Sequence, residues 1–298
     1  MATFPRERLF VHPLLWTARH LSLLRCQFFD DGVITVPPVT PSSPADTMLA
    51  DGGSADEPPG DTSLARALAT SSRPGPKGYC LSTLVRELKC YRYQVDFYYA
   101  RRAVAPLPCG PFSQPRESPL HPPPPAQLVY LDLSEIARYR EIKVAGPGHV
   151  WATILPKTRL EDPYIAAVLI AIAQEQRLHG KGENKKSKKQ DEIYPTDATT
   201  EATSASILSM MLITRPKDAK WLYIYTSKVP SAFLERLDHP SRPPAQASSG
   251  LEMAIYRRWL AFKPYETLSQ RLVTVLRDAR AGKYCASDGE PVQPSCRP

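Results

Sequence analysis

The sequence has neither the spacing of a structural zinc site nor a secretory signal. Its six cysteines include no CxxC pair, and no histidine lies near one of them at metal-ligand spacing. Arg19, His20 and Arg25 interrupt the N-terminal apolar run, which is therefore not typical of a signal peptide. We expect free thiols in a reducing compartment rather than disulfide bonds.

Long apolar runs are also missing from the chain. No uncharged apolar stretch approaches the roughly 20 residues that span a bilayer. The sequence therefore predicts a soluble protein of the cytoplasm or nucleus, without a membrane partner. An alternative concerns residues 1–29, whose four arginines and single acid partly fit a mitochondrial presequence, although Pro5 and Pro13 interrupt the required helix.

Common catalytic signatures are absent as well. The chain contains no glycine-rich phosphate loop, no HExxH pair, no GxSxG elbow and no kinase signature. These absences favour a protein that is not an enzyme, and they predict no resident cofactor. The formal net charge of +8 becomes evidence for an anionic partner only if the fold gathers the excess cations on one surface.

Proline, by contrast, is abundant, with 32 residues in a chain of 298, and much of it lies in stretches without apolar periodicity. Such stretches cannot offset the entropy cost of ordering themselves. We therefore divide the chain into an N-terminal extension (1–36), a disordered linker (37–78), a folded domain (79–282) and a disordered tail (283–298). Further disordered inserts are predicted within the domain at 106–126, 179–204 and 239–250.

Apolar periodicity in the remaining segments predicts an α+β domain. From Tyr91 to Tyr99, apolar and aromatic residues alternate with polar ones, as on a strand with one face against the core. Pro163 begins a helix whose residues 165–173 are apolar on every side, which indicates burial against a sheet. A hairpin is predicted over 140–155. The result is a single domain with a mixed sheet of about six strands packed by about four helices. The other predicted strands are 128–133, 206–213, 221–226 and 251–259, and the other predicted helices are 82–89, 230–237 and 264–281.

One constellation has a coherent catalytic mechanism. Glu141 and Lys143 are two residues apart on a predicted strand, so they share a face, and Asp132 lies at the end of the preceding strand. This pattern resembles the restriction-endonuclease-like superfamily, in which a glutamate from an earlier helix, here Glu87, often takes part. The resemblance implies a divalent-metal phosphodiesterase in which Asp132 and Glu141 hold Mg²⁺ or Mn²⁺ and Lys143 stabilises charge or positions the attacking water. The alternative is that the pair lies on the solvent side of an amphipathic hairpin.

A second alternative is nucleic-acid binding without catalysis. The aromatic strand from Tyr91 to Tyr99 is flanked by arginines, and bases stack on aromatic platforms in basic grooves. The same alternation also fits a buried face, and the signature of an RNA-recognition sheet is missing. The flanking arginines are Arg86, Arg92, Arg101 and Arg102.

Three stretches of the chain resemble a group of filamentous-fungal proteins that have no settled function. The resemblance implies a shared domain over about residues 80–281 but supplies no activity and no catalytic residue. The stretches are Ala145-Gly-Pro-Gly-His-Val-Trp-Ala152, Asp162-Pro-Tyr-Ile-Ala-Ala-Val-Leu-Ile-Ala-Ile-Ala-Gln174 and Leu222-Tyr-Ile-Tyr-Thr-Ser-Lys-Val-Pro-Ser-Ala-Phe-Leu234.

The function that these observations favour is non-catalytic binding or scaffolding. We predict a protein partner, with nucleic acid as the alternative, and the sequence does not indicate an oligomeric state. The catalytic alternative depends on geometry, because Asp132 and Glu141 would need carboxylate oxygens roughly 4 to 5 Å apart to share one cation.

Overall fold

A computed structural model describes residues 11–36, 60–90, 92–115, 124–143, 156, 158–187, 206–242 and 252–283. These residues form nine strands and seven α-helices. The strands are β1 (Cys26–Val33), β2 (Lys89–Cys90), β3 (Gln94–Tyr99), β4 (Arg102–Pro108), β5 (Gly110–Ser113), β6 (Leu128–Asp132), β7 (Ser206–Thr214), β8 (Trp221–Pro230) and β9 (Met253–Ala261). The helices are α1 (Ala18–Leu24), α2 (Asp61–Thr70), α3 (Pro74–Leu84), α4 (Leu133–Lys143), α5 (Pro163–Ser187), α6 (Ser231–Asp238) and α7 (Leu268–Arg280).

Seven of the strands form one mixed sheet in the order β1-β9-β8-β7-β6-β5-β2, and β3 and β4 form a separate hairpin. The pairs β1/β9 and β6/β7 are parallel, and the other neighbours are antiparallel. The predicted α+β class with a mixed sheet is confirmed. The membership of the sheet differs from the prediction, because the unpredicted strands β1 and β5 join it, whereas the predicted aromatic strand lies in the separate β3–β4 hairpin.

The strands of the sheet carry apolar side chains on both faces, which places the sheet between two apolar layers. In β7, Met211 and Ile213 contribute to one core, and Met210 and Leu212 contribute to the other. Helix α5 and the β3–β4 hairpin cover the first face, and α2, α3 and α7 cover the second. Such two-sided burial explains why β7 and β8 are long apolar runs.

Helix α5 is the centre of the first layer. Asp162 precedes Pro163 and accepts a hydrogen bond from the backbone N–H of Tyr164 at 2.9 Å, which fixes the first turn. The side chains from Tyr164 to Ala173 are all 0% exposed. The prediction of a helix buried on every side is therefore confirmed.

The predicted aromatic strand is present as β3, and its inward face is buried. Val95 and Phe97 are 1% exposed and Tyr99 is 6% exposed, whereas Tyr93, just before the strand, is 85% exposed. Gln174 of α5 holds this strand in place, because its side chain accepts from the backbone N–H of Tyr98 and donates to its carbonyl. The interpretation of this face as a core face is confirmed for Val95, Phe97 and Tyr99 and is wrong for Tyr93, which precedes the strand and is exposed.

Residues 11–36 of the predicted N-terminal extension are part of the domain. Trp16 is 1% exposed and contacts the ring of Phe97 edge-on, with centroids 5.3 Å apart. Strand β1 pairs with β9 in parallel, with Cys26 opposite Met253. The partner strand lies more than 200 residues away, so the local pattern of residues 26–33 did not indicate this pairing.

Part of the predicted linker also folds. Residues 60–78 include α2 and the first half of α3, and Leu64, Leu68 and Leu81 are buried against the second face of the sheet. The prediction of disorder was wrong here because α2 buries only a narrow stripe of leucine and alanine among polar residues. Residues 37–59 lie outside the described residues.

The predicted insert 106–126 is shorter than expected. Residues 106–108 belong to β4, and β5 pairs with β6. Pro106 and Pro108 are tolerated because β4 is an edge strand with a single partner. Helix α5 extends to Ser187, into the predicted insert 179–204. The remaining parts of these inserts, most of 239–250 and the tail beyond residue 283 lie outside the described residues.

None of the described helices is long and apolar enough to cross a membrane.

Candidate functional site

A buried polar cluster lies where the parallel strands β6 and β7 end. Asp132 is the last residue of β6 and pairs in register with Thr214, the last residue of β7. Lys77 reaches the same point from α3, and the side chains of Lys77 and Asp132 are 2% and 1% exposed. The parallel pairing aligns Asp132 with Thr214, and the packing of α3 adds Lys77 to them, so three polar groups that are far apart in the sequence meet.

Asp132 is surrounded by protein donors. Its Oδ2 accepts from Lys77 Nζ at 3.0 Å and from Thr214 Oγ1 at 2.7 Å, and its Oδ1 accepts from the N–H and hydroxyl of Ser134 at 2.9 and 2.5 Å. An ionised carboxylate offers about four acceptor sites, and all four are occupied. Burial favours a higher pKa for Asp132, but the hydrogen bonds from Ser134, Thr214 and Lys77 outweigh it and hold the pKa below its usual value.

The hydrogen bonds continue from Asp132 to a buried tyrosine. Thr214 donates its only hydroxyl proton to Asp132, so it accepts from the Tyr130 hydroxyl at 2.8 Å. Burial raises the pKa of Tyr130, which therefore stays a neutral donor. Lys77 donates a second hydrogen bond to the Arg215 carbonyl at 3.4 Å. We call Lys77, Tyr130, Asp132, Ser134 and Thr214 the Asp132 cluster.

The structure does not bring the predicted catalytic residues together. Glu141 and Lys143 lie on helix α4, not on a strand, and both are exposed. Residues two apart on a helix point in different directions. Glu141 follows Asp132 by nine residues, which is about 13 Å along a helix at 1.5 Å per residue. The two carboxylates are therefore too far apart to share a cation.

The predicted strand at 140–145 is wrong for its described residues, 140–143, because a charged residue occupies a core position of a helix. Leu133, Ile136 and Arg140 form the buried face of α4 at helical spacing. Because Arg140 is charged, this spacing of buried residues is not recognisable in the sequence. Asp162 makes the burial of Arg140 possible, because its carboxylate accepts hydrogen bonds from both Nη atoms at 2.6 Å. Only the first four residues of the predicted hairpin 140–155 are described, and they are helical.

Nothing else in the described part of the chain supplies the missing metal site. No group of three or more histidine, cysteine, aspartate or glutamate side chains there is placed to hold a metal ion. Glu87 is exposed and follows the C-terminal end of α3, whereas Lys77 lies in the first turn of that helix. The residues present therefore do not fit the Mg²⁺ or Mn²⁺ ion of the catalytic alternative.

The aromatic strand does not offer a stacking platform. The inward-facing rings of β3 are buried under α5, and Arg92 is paired with Glu175 of that helix. Arg101 contacts His239, with 2.7 Å between nitrogens. The observation that motivated nucleic-acid binding on this strand is therefore removed, although Tyr91 lies outside the described residues.

A cavity of about 170 Å³ lies beside the buried Arg140–Asp162 pair. Its wall is partly apolar, from Leu133 and Ile136 of α4, and partly charged, from Arg159 at the start of the α5 region. Arg140 also donates to the Leu14 carbonyl at 2.7 Å, so its nitrogens are committed to the protein. The cavity is smaller than most ligand sites, which measure roughly 300 to 1,000 Å³.

The four described cysteines, Cys26, Cys80, Cys90 and Cys109, are free, as predicted for them. Burial raises the pKa of Cys26 to about 12 and also raises the pKa values of the other three. These thiols are therefore poor nucleophiles at neutral pH.

A cluster of cations surrounds the same end of the sheet as the Asp132 cluster. The β7–β8 turn carries Arg215, Lys217 and Lys220, and the backbone N–H of Phe262, just after β9, donates to the Lys220 carbonyl at 3.0 Å. Lys263 follows directly, so the turn and the end of β9 are adjacent. Arg73 immediately precedes α3, one turn before Lys77. We call the surface formed by Arg66, Arg73, Arg215, Lys217, Lys220 and Lys263 the basic tip.

Several cations of the basic tip lie over aromatic rings. Lys220 Nζ is 5.0 Å from the centroid of the Trp221 ring, and Arg215 Cζ is 5.9 Å from that of Tyr223. Two further cations, Arg66 and Lys263, lie 5.7 and 6.0 Å from the Tyr265 ring. These distances are within the range of cation–π attraction.

The β7–β8 turn has a defined shape. Lys217 has a positive φ of 64°, which is uncommon for a residue other than glycine. Asp218 fixes the turn, because its Oδ1 accepts from the backbone N–H groups of Lys220 and Trp221 at 3.1 and 3.3 Å and its Oδ2 accepts from the Tyr223 hydroxyl at 2.8 Å. The turn therefore holds two lysines, both exposed, in fixed backbone positions.

Sequence reasoning missed both the Asp132 cluster and the basic tip. Only Asp132 was singled out, with a different role, and Lys77 lay in the segment predicted to be disordered. The pairing of β6 with β7 was the necessary information, and local sequence carries little signal for it.

Comparison of the chain with protein-family models, with curated proteins and with solved structures finds no match in any of the three. The resemblance to filamentous-fungal proteins stays a prediction. Two of its three stretches correspond to the start of α5 and to β8 with α6, and the first stretch, from Ala145 to Ala152, lies outside the described residues.

Proposed function

We propose that this protein is a non-catalytic binding domain. The observation that carries the proposal is the saturation of Asp132, whose two oxygens receive four hydrogen bonds from Lys77, Thr214 and Ser134. A carboxylate in this state has no acceptor site left for a metal ion or for a substrate proton. In this proposal the Asp132 cluster is a structural connection between α3, β6, β7 and α4.

The position of the Asp132 cluster explains why a binding domain would keep it. Ligands of mixed and parallel sheets commonly bind beyond the carboxyl ends of parallel strands, which is where Asp132 and Thr214 lie. Lys77 bonds to the Arg215 carbonyl, so the cluster also anchors the start of the β7–β8 turn. The buried groups therefore fix the backbone from which the exposed cations of the basic tip project.

The competing hypothesis, a divalent-metal phosphodiesterase, receives no support from the positions of Glu141 and Lys143. Both are exposed on the last turn of α4, about 13 Å along the helix from Asp132. A role for either residue in metal chemistry would need ligands from segments outside the described residues.

Thermal unfolding of the full chain, with and without Mg²⁺ or Mn²⁺, tests the proposal. A ligand at 100 times its Kd stabilises a protein by about 2.7 kcal/mol, which is readily measured. We expect no metal-dependent shift in the wild type or in Glu141→Ala, and no hydrolysis of a labelled oligonucleotide in the presence of either metal. A metal-dependent rise in melting temperature that Glu141→Ala abolishes, together with hydrolysis, would show that the protein is an enzyme.

A further inference from the structure

We propose that the basic tip binds the phosphate backbone of a nucleic acid, an inference that rests on the proposed binding function and names its partner. The tip contains six cations, and the acids beside it are Asp218 and Glu266. Glu135, at the first turn of α4, is paired with Arg138 at 3.2 Å and adds no net charge. The local excess is about four positive charges, half of the formal net charge of the whole chain.

Most of these charges are available to a partner. Within the described ranges, none of Arg66, Arg73, Lys217, Lys220 and Lys263 lies within 4.0 Å of a carboxylate oxygen, and all five are exposed. Among the six cations of the tip, Arg215 has a described carboxylate oxygen within this distance, that of Asp218 at 4.0 Å. A polyanion would therefore replace water and counterions around these cations without first breaking an internal ion pair.

The dimensions of the basic tip suit an extended polyanion. Its cations lie around the ends of β6, β7, β8 and β9, and neighbouring strands are about 4.8 Å apart, so the tip is about 14 Å wide. In a duplex, the successive phosphates of one strand advance by about 3.4 Å along the helix axis and are farther apart than this along the strand itself. The tip is therefore wide enough to contact more than one phosphate.

Helix orientation adds to the positive potential. Helices α3 and α4 both begin beside Asp132, which contacts Lys77 in the first turn of α3 and the backbone N–H of Ser134 in the first turn of α4. The N-terminus of a helix carries a partial positive charge of roughly half an elementary charge. The two helix starts thus act in the same direction as the exposed cations.

The composition of the tip favours a phosphate backbone over an acidic protein segment. Lysine is depleted in the centres of protein–protein interfaces, whereas Lys217, Lys220 and Lys263 make up half of the tip. Protein ligands also use apolar anchors that enter pockets. The apolar rings at the tip, Trp221, Tyr223 and Tyr265, already lie beneath cations of the protein itself.

Fluorescence anisotropy with a labelled single-stranded oligonucleotide of about 20 nucleotides tests the proposal on the full chain. The test variant is Lys217→Glu/Lys220→Glu, and the matched control is Arg19→Glu/Lys89→Glu, which makes the same change in net charge at exposed positions near the other end of the sheet. We expect the test variant to lose affinity by roughly tenfold or more at about 100 mM salt, and the control to stay within about twofold of the wild type.

The salt dependence gives a second readout. The slope of log K against log salt is about −0.7 per phosphate contact for single strands, so removing two contacts with Lys217→Ala/Lys220→Ala should make the slope shallower by about 1.4. Lys217→Arg/Lys220→Arg should keep the wild-type slope, because a backbone site requires charge rather than lysine itself. The alanine variant also replaces the glutamate variant if the latter does not fold.

Two outcomes would overturn the proposal. One is equal affinity and equal slope for the wild type and the alanine variant. The other is competition in which polyglutamate of matched charge displaces the oligonucleotide as well as the unlabelled oligonucleotide does, which would identify an acidic protein as the partner. Either result leaves the non-catalytic function standing, whereas hydrolysis of the oligonucleotide in the presence of metal contradicts that function whatever the tip variants do.

Discussion

The two ends of the seven-stranded sheet differ in how far their cations are paired with acids. At the end where β1 and β9 begin, Glu252 is paired with both Arg25 and Arg236. We call this the far end. At the basic tip, the cations lie over aromatic rings or point into solvent, and the only ion pair is the long Arg215–Asp218 contact among the described residues.

This contrast separates what folding requires from what it does not. Paired charges at the far end reduce repulsion within the molecule, as expected of a surface that has only to be stable. An excess of like charge at the tip lowers the stability of the fold through repulsion, and no contact within the fold compensates for it. Proteins commonly keep such features at functional sites, where binding requires an arrangement that is not optimal for stability.

The largest effect should come from breaking the buried pair beneath the tip. Lys77→Met leaves the Asp132 carboxylate buried without its cation, and breaking a buried ion pair in this way typically costs about 3 to 5 kcal/mol. Chemical denaturation at neutral pH measures the loss. Arg86→Met is the matched control at an exposed ion pair, because the side chains of the Arg86–Asp61 pair are 74% and 34% exposed and a cost of about 0 to 1 kcal/mol is expected.

Equal losses in the two variants would contradict this reasoning. A small loss for Lys77→Met would mean that Asp132 is held adequately by Thr214 and Ser134 alone. In that case the Asp132 cluster would not be the connection that fixes the β7–β8 turn, and the proposed support of the basic tip would fail.

The Asp132 cluster also shows which parts of the fold could be predicted from the sequence and which could not. Strong local periodicity predicted β3, β7, β8, α5 and α7, because each of these segments shows an apolar face or a fully apolar run within about ten residues. No local pattern encodes the pairing of β6 with β7, which aligns Asp132 with Thr214 across 82 residues, or that of β1 with β9. Those pairings depend on the packing of whole layers.

Two misleading residues account for most of the error at the candidate site. Arg140 occupies a core position that sequence patterns assign to solvent, so the last residues of α4, from Arg140 on, are predicted as a strand with Glu141 and Lys143 on one face. Lys77 is buried although it follows Pro74 and Pro76, in a stretch whose composition is typical of disorder. In both cases a distant acid, Asp162 or Asp132, makes the burial possible, and distant partners cannot be identified from one sequence.

A smaller effect should appear in the dependence of stability on pH. The pKa of Asp132 is lower in the folded protein than its ordinary value of 3.8, so its stabilising contribution is complete above that pH and is lost as the pH falls through the folded-state pKa. Asp132→Asn should therefore be less stable than the wild type at neutral pH, by about 1 to 3 kcal/mol for the lost charged hydrogen bonds. Urea denaturation at several pH values measures the difference.

The difference between Asp132→Asn and the wild type should shrink as the pH falls below about 3.8, because the wild-type carboxylate then also becomes neutral. A difference that stays constant down to the acid transition would show that the ionised form of Asp132 is not the form that the Asp132 cluster stabilises.

The smallest effect on stability is expected at the basic tip itself. Lys217 and Lys220 are exposed and have no acid partner among the described residues, so Lys217→Ala/Lys220→Ala should change the free energy of unfolding by no more than about 0.5 kcal/mol, and reduced repulsion favours a slight gain. Glu252→Gln at the far end should cost more, about 1 kcal/mol, because Arg25 and Arg236 lose their shared carboxylate. Urea denaturation of both variants measures this contrast. A loss at the tip as large as that at the far end would mean that the tip lysines serve the fold, and the excess of charge there would no longer point to a partner.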